Sequence, residues 1–259
     1  MTRFVAGLAY PFRAFGLLAR TPHLWRYVLV PILVNIVVGV TLYAGLLFGG
    51  LRAIDGLVGG LPVWAAVLGA LLRVLLVVGL LLATGFVLVR FGVVLGAPWY
   101  AQLSAQIELQ QTGRLPDPGS GLGAALRDLG RALAFELQKL LLALPIGLGL
   151  LLLNLIPAAG TILATVGGIA LGATIACLDF LDYPLERRRL SFRAKLGVIR
   201  WGLPATAGFG LVCLALVSIP FVNLLAIPLC VAAGTLFFCE RAAMSTSPRS
   251  PHPVPGAGE

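Results

Sequence analysis

The residues able to do chemistry in this chain are few enough to weigh one at a time. A metal or thiol centre would draw on four cysteines, Cys177, Cys213, Cys230 and Cys239, and two histidines, His23 and His252. No two cysteines form a Cys-x-x-Cys pair, and neither histidine stands at a ligand spacing from them, so no metal site and no cofactor is expected. The thiols read as small apolar packing residues. No nucleophile–base pattern stands out, and no Gly-x-x-x-x-Gly-Lys-Ser/Thr phosphate loop is present, so the chain reads as a non-enzyme. Arg73 is different, because it lies inside an apolar run from about Val63 to Val89. A charge at membrane depth marks a polar path, or it snorkels to the nearer surface or pairs with a neighbouring helix. Both readings stand on the sequence.

What must position such residues follows from composition. The 259 residues are 59% hydrophobic and 11% charged, with a mean hydropathy of +1.00. An ordinary soluble domain carries about 25% charged residues. A globule this poor in charge could not cover its surface in water, which excludes soluble enzymes and disordered proteins. Apolar runs longer than the roughly 20 residues of a spanning helix make it a polytopic, all-α membrane protein. The net charge of +9 sits in short segments between apolar runs rather than on a mixed polar surface, so no nucleic-acid partner is expected. Lys and Arg crowd residues 1–26, 90–139, 187–200 and 241–249, while the segments around Pro157 and Pro220 hold none. By the positive-inside rule both termini are cytoplasmic, in a cell membrane.

The N-terminal segment is expected to be an amphipathic interfacial helix. Phe4, Leu8, Phe12, Phe15 and Leu18 fall on one face, with Arg3, Arg13 and Arg20 on the other. Two long spans follow, about Leu24 to Phe48 and about Val63 to Val89, with a glycine-rich loop from Gly49 to Pro62 between them. Trp25 and Tyr27, with Arg26 beside them, are placed as interfacial anchors, and Pro31 predicts a kink. A short helix over Ala101 to Gln111 ends at Gly113. Leu122, Leu126, Leu129, Leu133 and Leu137 form a helical stripe expected to lie along the membrane surface.

Two proline-tipped hairpins complete the chain. The first turns at Asn154-Leu155-Ile156-Pro157-Ala158-Ala159-Gly160, the second at Ser218-Ile219-Pro220-Phe221-Val222-Asn223. Gly172-Ala173-Thr174 and Gly234-Thr235 follow each tip at a similar distance, which makes a weak internal repeat; chance likeness of apolar sequence is the alternative. Each arm before its tip is about 16 residues, or about 24 Å, short of the roughly 30 Å hydrocarbon core. The tips are also uncharged. Both facts favour hairpins that dip in and return over two full crossings with tight turns. Residues 1–241 read as one membrane domain and 242–259 as a disordered cytoplasmic tail.

The segment Leu181-Asp182-Tyr183-Pro184, followed by Ser191-Phe192, resembles a signature of the CysZ / etoposide-induced protein 2.4 family. Gly208-Phe209-Gly210, Ile219-Pro220 with Asn223-Leu224 and Pro228, and Ala97-Pro98-Trp99 with Glu108 resemble further blocks in the same order. Pro22, Pro31 and Asn35 fit the family's first-span entry, and Pro157 tips the first hairpin. The resemblance covers roughly residues 7 to 241. It implies two long spanning helices with partly penetrating hairpins. For the bacterial branch it implies sulfate permeation feeding cysteine biosynthesis, and a homo-oligomer. For the eukaryotic branch it implies endoplasmic-reticulum and autophagy roles. One departure is Pro22-His23-Leu24-Trp25, where the sulfate branch tends to show Pro-Gly-Leu-Arg; Arg26 stands one place later.

A small doubly charged anion needs hydrogen-bond donors and positive potential in place of water. The helices that start after each tip offer backbone donors. Asn154, Thr161 and Asn223 offer side-chain donors, and Arg26 and Arg73 offer charge along a path. The Arg187-Arg188-Arg189 block would concentrate anions at the cytoplasmic mouth or contact lipid headgroups. The expected partners are membrane lipids, a small inorganic anion with sulfate foremost, and copies of the chain itself. A non-transporting scaffold or envelope-integrity protein is the second reading.

Overall fold

The computed structural model describes residues 2–59, 66–116, 122–219 and 222–246. Among these residues there are α-helices, one 3-10 turn and no strand. In chain order the helices are α1 (Thr2–Arg20), α2 (Trp25–Val58), α3 (Ala66–Thr112), α4 (Leu122–Leu153), α5 (Ala159–Arg187), α6 (Phe192–Trp201), α7 (Ala205–Ser218) and α8 (Val222–Thr246). The 3-10 turn, Pro22–Leu24, joins α1 to α2. Five helices are long and apolar enough to cross a membrane, or six if the bent α6–α7 pair is taken as one span. The chain is an all-α polytopic membrane protein, built as two compact units, Thr21–Leu103 and the remainder.

The Thr21–Leu103 unit holds α2 and most of α3. At 34 and 47 residues, these helices are about 51 Å and 70 Å long, well beyond a roughly 30 Å hydrocarbon core. Side chains such as Leu33, Val40, Leu71 and Val74 face outward, each about 60% exposed. In water that would be untenable; in lipid it is the expected outer surface. The glycine-rich stretch expected as a loop is instead helical to Val58. Without water competing for backbone groups, glycine no longer breaks a helix, and Gly59 N–H still closes on Asp55 C=O at 2.9 Å. Gly50 is where α3 comes close, since a Cβ there would meet Leu76 Cδ2 at 2.7 Å.

The other unit comprises α1, the end of α3 from Ser104, and α4 to α8. Its core is α1, α5, α7 and α8. Glycine sets their spacing. A Cβ on Gly7 would collide with the Ala205 carbonyl, one on Gly208 with Phe4, one on Gly210 with Ala173, and one on Gly234 with Phe180. Backbones this close gain dispersion contacts that lipid cannot replace. Cys177, Cys213, Cys230 and Cys239 are all free and buried here, with Cys177 Sγ donating to Thr206 C=O at 3.1 Å.

Further expectations change in detail. The Ala101–Gln111 helix is the end of α3, which stops at Thr112 before Gly113 at φ 68°. The segment expected to lie along the surface is the start of α4, one helix from Leu122 to Leu153. Within it Leu133 and Leu137 are exposed, and Phe135 is buried. Likewise α1 buries Tyr10, Ala14 and Leu18 against the bundle and exposes Phe12 and Phe15. In both helices large apolar side chains also face outward, because the surrounding medium is lipid, while small residues such as Ala14 allow close packing inside. α8 runs to Thr246, past residue 242 where the tail is expected to start, and the rest of that expected tail lies outside the described residues.

Candidate functional site

The first hairpin tip carries Asn154 and Pro157, with Thr161 in the first turn of α5. Turn hydrogen bonds from Asn154, Leu155 and Ile156 N–H to Leu151, Leu152 and Leu153 C=O end α4. Pro157 C=O then accepts from Ala159 N–H at 2.8 Å. Ala158 takes φ 60° to reverse the chain, a conformation that costs a non-glycine residue about 1 kcal/mol or more. Gly160 is buried where any side chain would strike the Leu153 carbonyl. Asn154 Nδ2 donates to Leu150 C=O at 3.3 Å. Asn154 and Thr165 line a cleft of about 220 Å³ with Gly147, Leu150, Leu151 and Ala164. Thr161 is exposed one turn into α5.

The second tip carries Asn223, half-buried in the first turn of α8, with its N–H on Ile219 C=O at 3.1 Å. Pro228 is buried in the returning helix. Pro220, predicted as the tip, lies outside the described residues.

Arg26 and Arg73 belong to the Thr21–Leu103 unit. Arg26 Nη2 donates to Tyr27 Oη at 2.6 Å, and its guanidinium lies 4.6 Å from that ring's centre. Arg73 pairs with Asp55 at 2.7 Å. Asp55 falls in the stretch expected to be a loop, which is why the pairing partner was hidden in the sequence. Arg26 and Asp55 are 29 residues apart on α2, about 44 Å along the helix. The two arginines therefore cannot hold one anion between them.

The family-motif residues do a different job. Asp182 accepts from Lys195 Nζ at 2.5 Å, and Glu186 accepts from Lys195 Nζ and Arg131 Nε at 2.6 Å each. Lys195, 2% exposed, thus ties α6 to α5, and Arg131 ties in α4. Lys139 joins the same helices through Asp179 at 2.5 Å. Tyr183 is half-buried beside them, and Pro184 is buried, with its carbonyl accepting from Arg188 at 3.0 Å. Opposite them sits Glu108, fully buried. Arg187 bonds its Oε2 at 2.6 Å. Arg188 Nη2 is 2.7 Å from Oε1 but off the hydrogen-bond axis. Arg187 also reaches Ser104 Oγ at 2.6 Å, and Thr235 of α8 donates to that hydroxyl at 2.8 Å. Two of the three arginines of the basic block are therefore committed to a buried carboxylate, so they are bundle fasteners rather than free anion attractors.

A second fastener joins the two ends of the chain. Tyr10 Oη donates to Glu240 at 2.8 Å, and Arg13 grips the same carboxylate through both Nη atoms at 2.9 and 2.6 Å. Burial raises the Tyr10 hydroxyl above its usual pKa, and the Glu240 bond raises it further. Sequence reasoning missed Lys195 and the α1 contact. The signals were present: Ser191 as an N-cap, accepting from Ala194 N–H at 3.4 Å, and Gly7 with Gly208 as small residues in apolar helices.

The family model described as "Sulfate transporter CysZ/Etoposide-induced protein 2.4" matches residues 10–228. Among curated relatives, a protein named "Sulfate transporter CysZ" of Vibrio cholerae serotype O1 is 31% identical over 234 residues, 89% of this chain and 92% of that one. The Salmonella typhimurium protein of the same name is 31% identical over 227 residues, 86% of this chain and 88% of that one. A third, from Vibrio parahaemolyticus, is 30% identical over 221 residues, 84% and 88% of the two chains. With both hairpin turns and the Lys195 and Glu108 ion pairs falling within the matched span, the chain belongs to the sulfate transporter CysZ / etoposide-induced protein 2.4 family.

Proposed function

We propose that this protein is a permease for sulfate or a closely related oxyanion, set in the cell membrane with both termini cytoplasmic, and that it feeds sulfur assimilation. The observation that carries the reading is the nearly end-to-end match to relatives named as sulfate transporters. The geometry of the hairpins is in keeping with it. Sulfate must exchange water for fixed donors, and uncharged tips with Asn154, Thr161 and Asn223 hold such donors beside helix N-termini, where the peptide dipoles favour anions. Arg26 on α2 and Arg73 on α3, which pairs with Asp55 near the far end of α2, are too far apart to form one site. The carboxylates Asp55, Glu108, Glu136, Asp179, Asp182, Glu186 and Glu240 are each held by a basic partner, which argues against a proton relay through them. Conduction is then channel-like or coupled to another ion, from a homo-oligomer whose copies meet through outward apolar faces.

The second hairpin dips rather than crosses in this reading. The 14 residues of α7 reach about 21 Å, short of the roughly 30 Å core, whereas α4 and α5, at 32 and 29 residues, are long enough to cross. Cysteine substitution at Val222 tests this, with poor labelling by an impermeant reagent from outside the cell expected there. The functional reading is tested by expressing the chain in a host stripped of its own sulfate uptake. Growth on sulfate as sole sulfur source is expected. Absence of growth with the protein present in the membrane would sink the permease reading and favour a scaffold.

A further inference from the structure

Helix α6 has no counterpart among the five spans, and its mounting is rigid. Lys195 is clamped by Asp182 and Glu186, Ile199 is buried, and Ile199 C=O accepts from Thr206 Oγ1 at 2.7 Å. These anchors fix one face. At 100° per residue the opposite arc carries Arg193, Gly197, Arg200 and Trp201. Arg193 and Arg200 are exposed and make no ion pair among the described residues. A side chain on Gly197 would meet only open space. Trp201 is 90% exposed, and Leu203 just beyond it is 51% exposed.

The direction of α6 gives this face its meaning. The chain bends by 106° between α6 and α7. A helix turned so far from one that enters the bilayer runs along the bilayer surface. An exposed indole is costly in water, yet it is favoured at headgroup depth, where its ring meets acyl chains and its N–H meets ester and phosphate oxygens. Two unpaired guanidiniums on the same arc offer bidentate donors to phosphate oxygens.

We propose that the Arg193–Arg200–Trp201 face of α6 is a docking surface for anionic phospholipid headgroups of the surrounding bilayer. Trp201 inserts at the level of the ester groups and the two arginines hold the phosphates. The lipid binds at the base of the ionic fasteners, so headgroup charge bears on how firmly α6 stays clamped to α5.

The test uses the full chain in vesicles of phosphatidylcholine with or without phosphatidylglycerol. Substituting Trp25→Phe, Trp64→Phe and Trp99→Phe leaves Trp201 as the only one of the four tryptophans. Lipids brominated near the top of the acyl chain should quench its emission, and aqueous iodide should not. Each arginine near an anionic surface favours it about fivefold, so brominated phosphatidylglycerol should quench more than brominated phosphatidylcholine at equal mole fraction. The Arg193→Gln, Arg200→Gln double variant should make the two lipids equal. Quenching by iodide, protection from both quenchers as a protein partner would give, or equal quenching by the two lipids in the parent chain would each overturn the proposal. A second measurement keeps all native tryptophans. Added phosphatidylglycerol should raise the thermal midpoint of the native chain, and the double arginine variant should lose that gain while Arg114→Gln keeps it. Equal gains in all three would contradict the assignment.

Discussion

The α4–α5 and α7–α8 hairpins share a plan: an apolar arm, an isoleucine-proline tip and a returning arm. They are held in opposite ways. The apolar window of α8 is 61% buried, and that of α4 is 0% buried. α7 and α8 are wedged among α1 and α5 by glycines, with Phe209 stacked on Phe237 at 5.5 Å. α4 instead meets α5 through Lys139 and Arg131 at its base and through Gly167 against Leu150 higher up, while Phe135 meets Phe192 and Lys195 of α6. The same sequence pattern thus yields one hairpin that is core and one whose outer arm faces lipid. Likeness of motif fixed the turn; the small residues flanking it fixed the burial.

The difference can be broken most severely at the fully buried carboxylate that fastens α5 near α8. Glu108→Gln leaves Arg187 and Arg188 without their counter-charge and should cost about 3–5 kcal/mol, read as a fall in the unfolding midpoint in detergent. A change below about 1 kcal/mol would mean the fastener is replaceable by water. Next comes glycine. Gly210→Ala drives a methyl into the Ala173 carbonyl and should cost about 1–3 kcal/mol. Gly149→Ala on α4, where nothing lies within 4 Å, should be neutral or stabilise by up to about 1 kcal/mol. Equal costs at the two sites would erase the contrast between the hairpins.

The tip of the free hairpin gives a smaller but more specific effect. Asn154→Leu removes one donor worth about 0.5–1.5 kcal/mol, so sulfate flux should fall roughly two- to tenfold with the unfolding midpoint unchanged. Smallest of all is Glu136→Gln. Its side chain is 65% exposed, and Lys139 keeps Asp179, so stability should shift by less than about 0.5 kcal/mol.

Much of the fold was legible because membrane insertion is written in long-range composition. Two long helices, the Pro157 turn and an N-terminal helix all follow from apolar run length and the spacing of Lys and Arg. Helix ends were harder. Gly49, Gly50 and Gly56 look like loop residues by rules learned in water, yet α2 runs through them, carrying Asp55 to Arg73. A related cause sets which side chains of α1 and α4 face outward. Large apolar residues mark the inside of a soluble protein, but here Phe12 and Leu133 look out and Ala14 and Gly208 look in. Of the candidate site, Asn154, Thr161 and Asn223 were readable as polar residues beside breaks in apolar runs. The role of Asp182 was not, because Lys195 meets it only after the turn from α5 into α6.

Uptake of radiolabelled sulfate by the purified protein in liposomes tests the central claim most directly. The account predicts saturable uptake above that of empty vesicles, competed by unlabelled sulfate and lowered by Asn154→Leu. Uptake no greater than empty vesicles, from protein verified as folded and inserted, would contradict it.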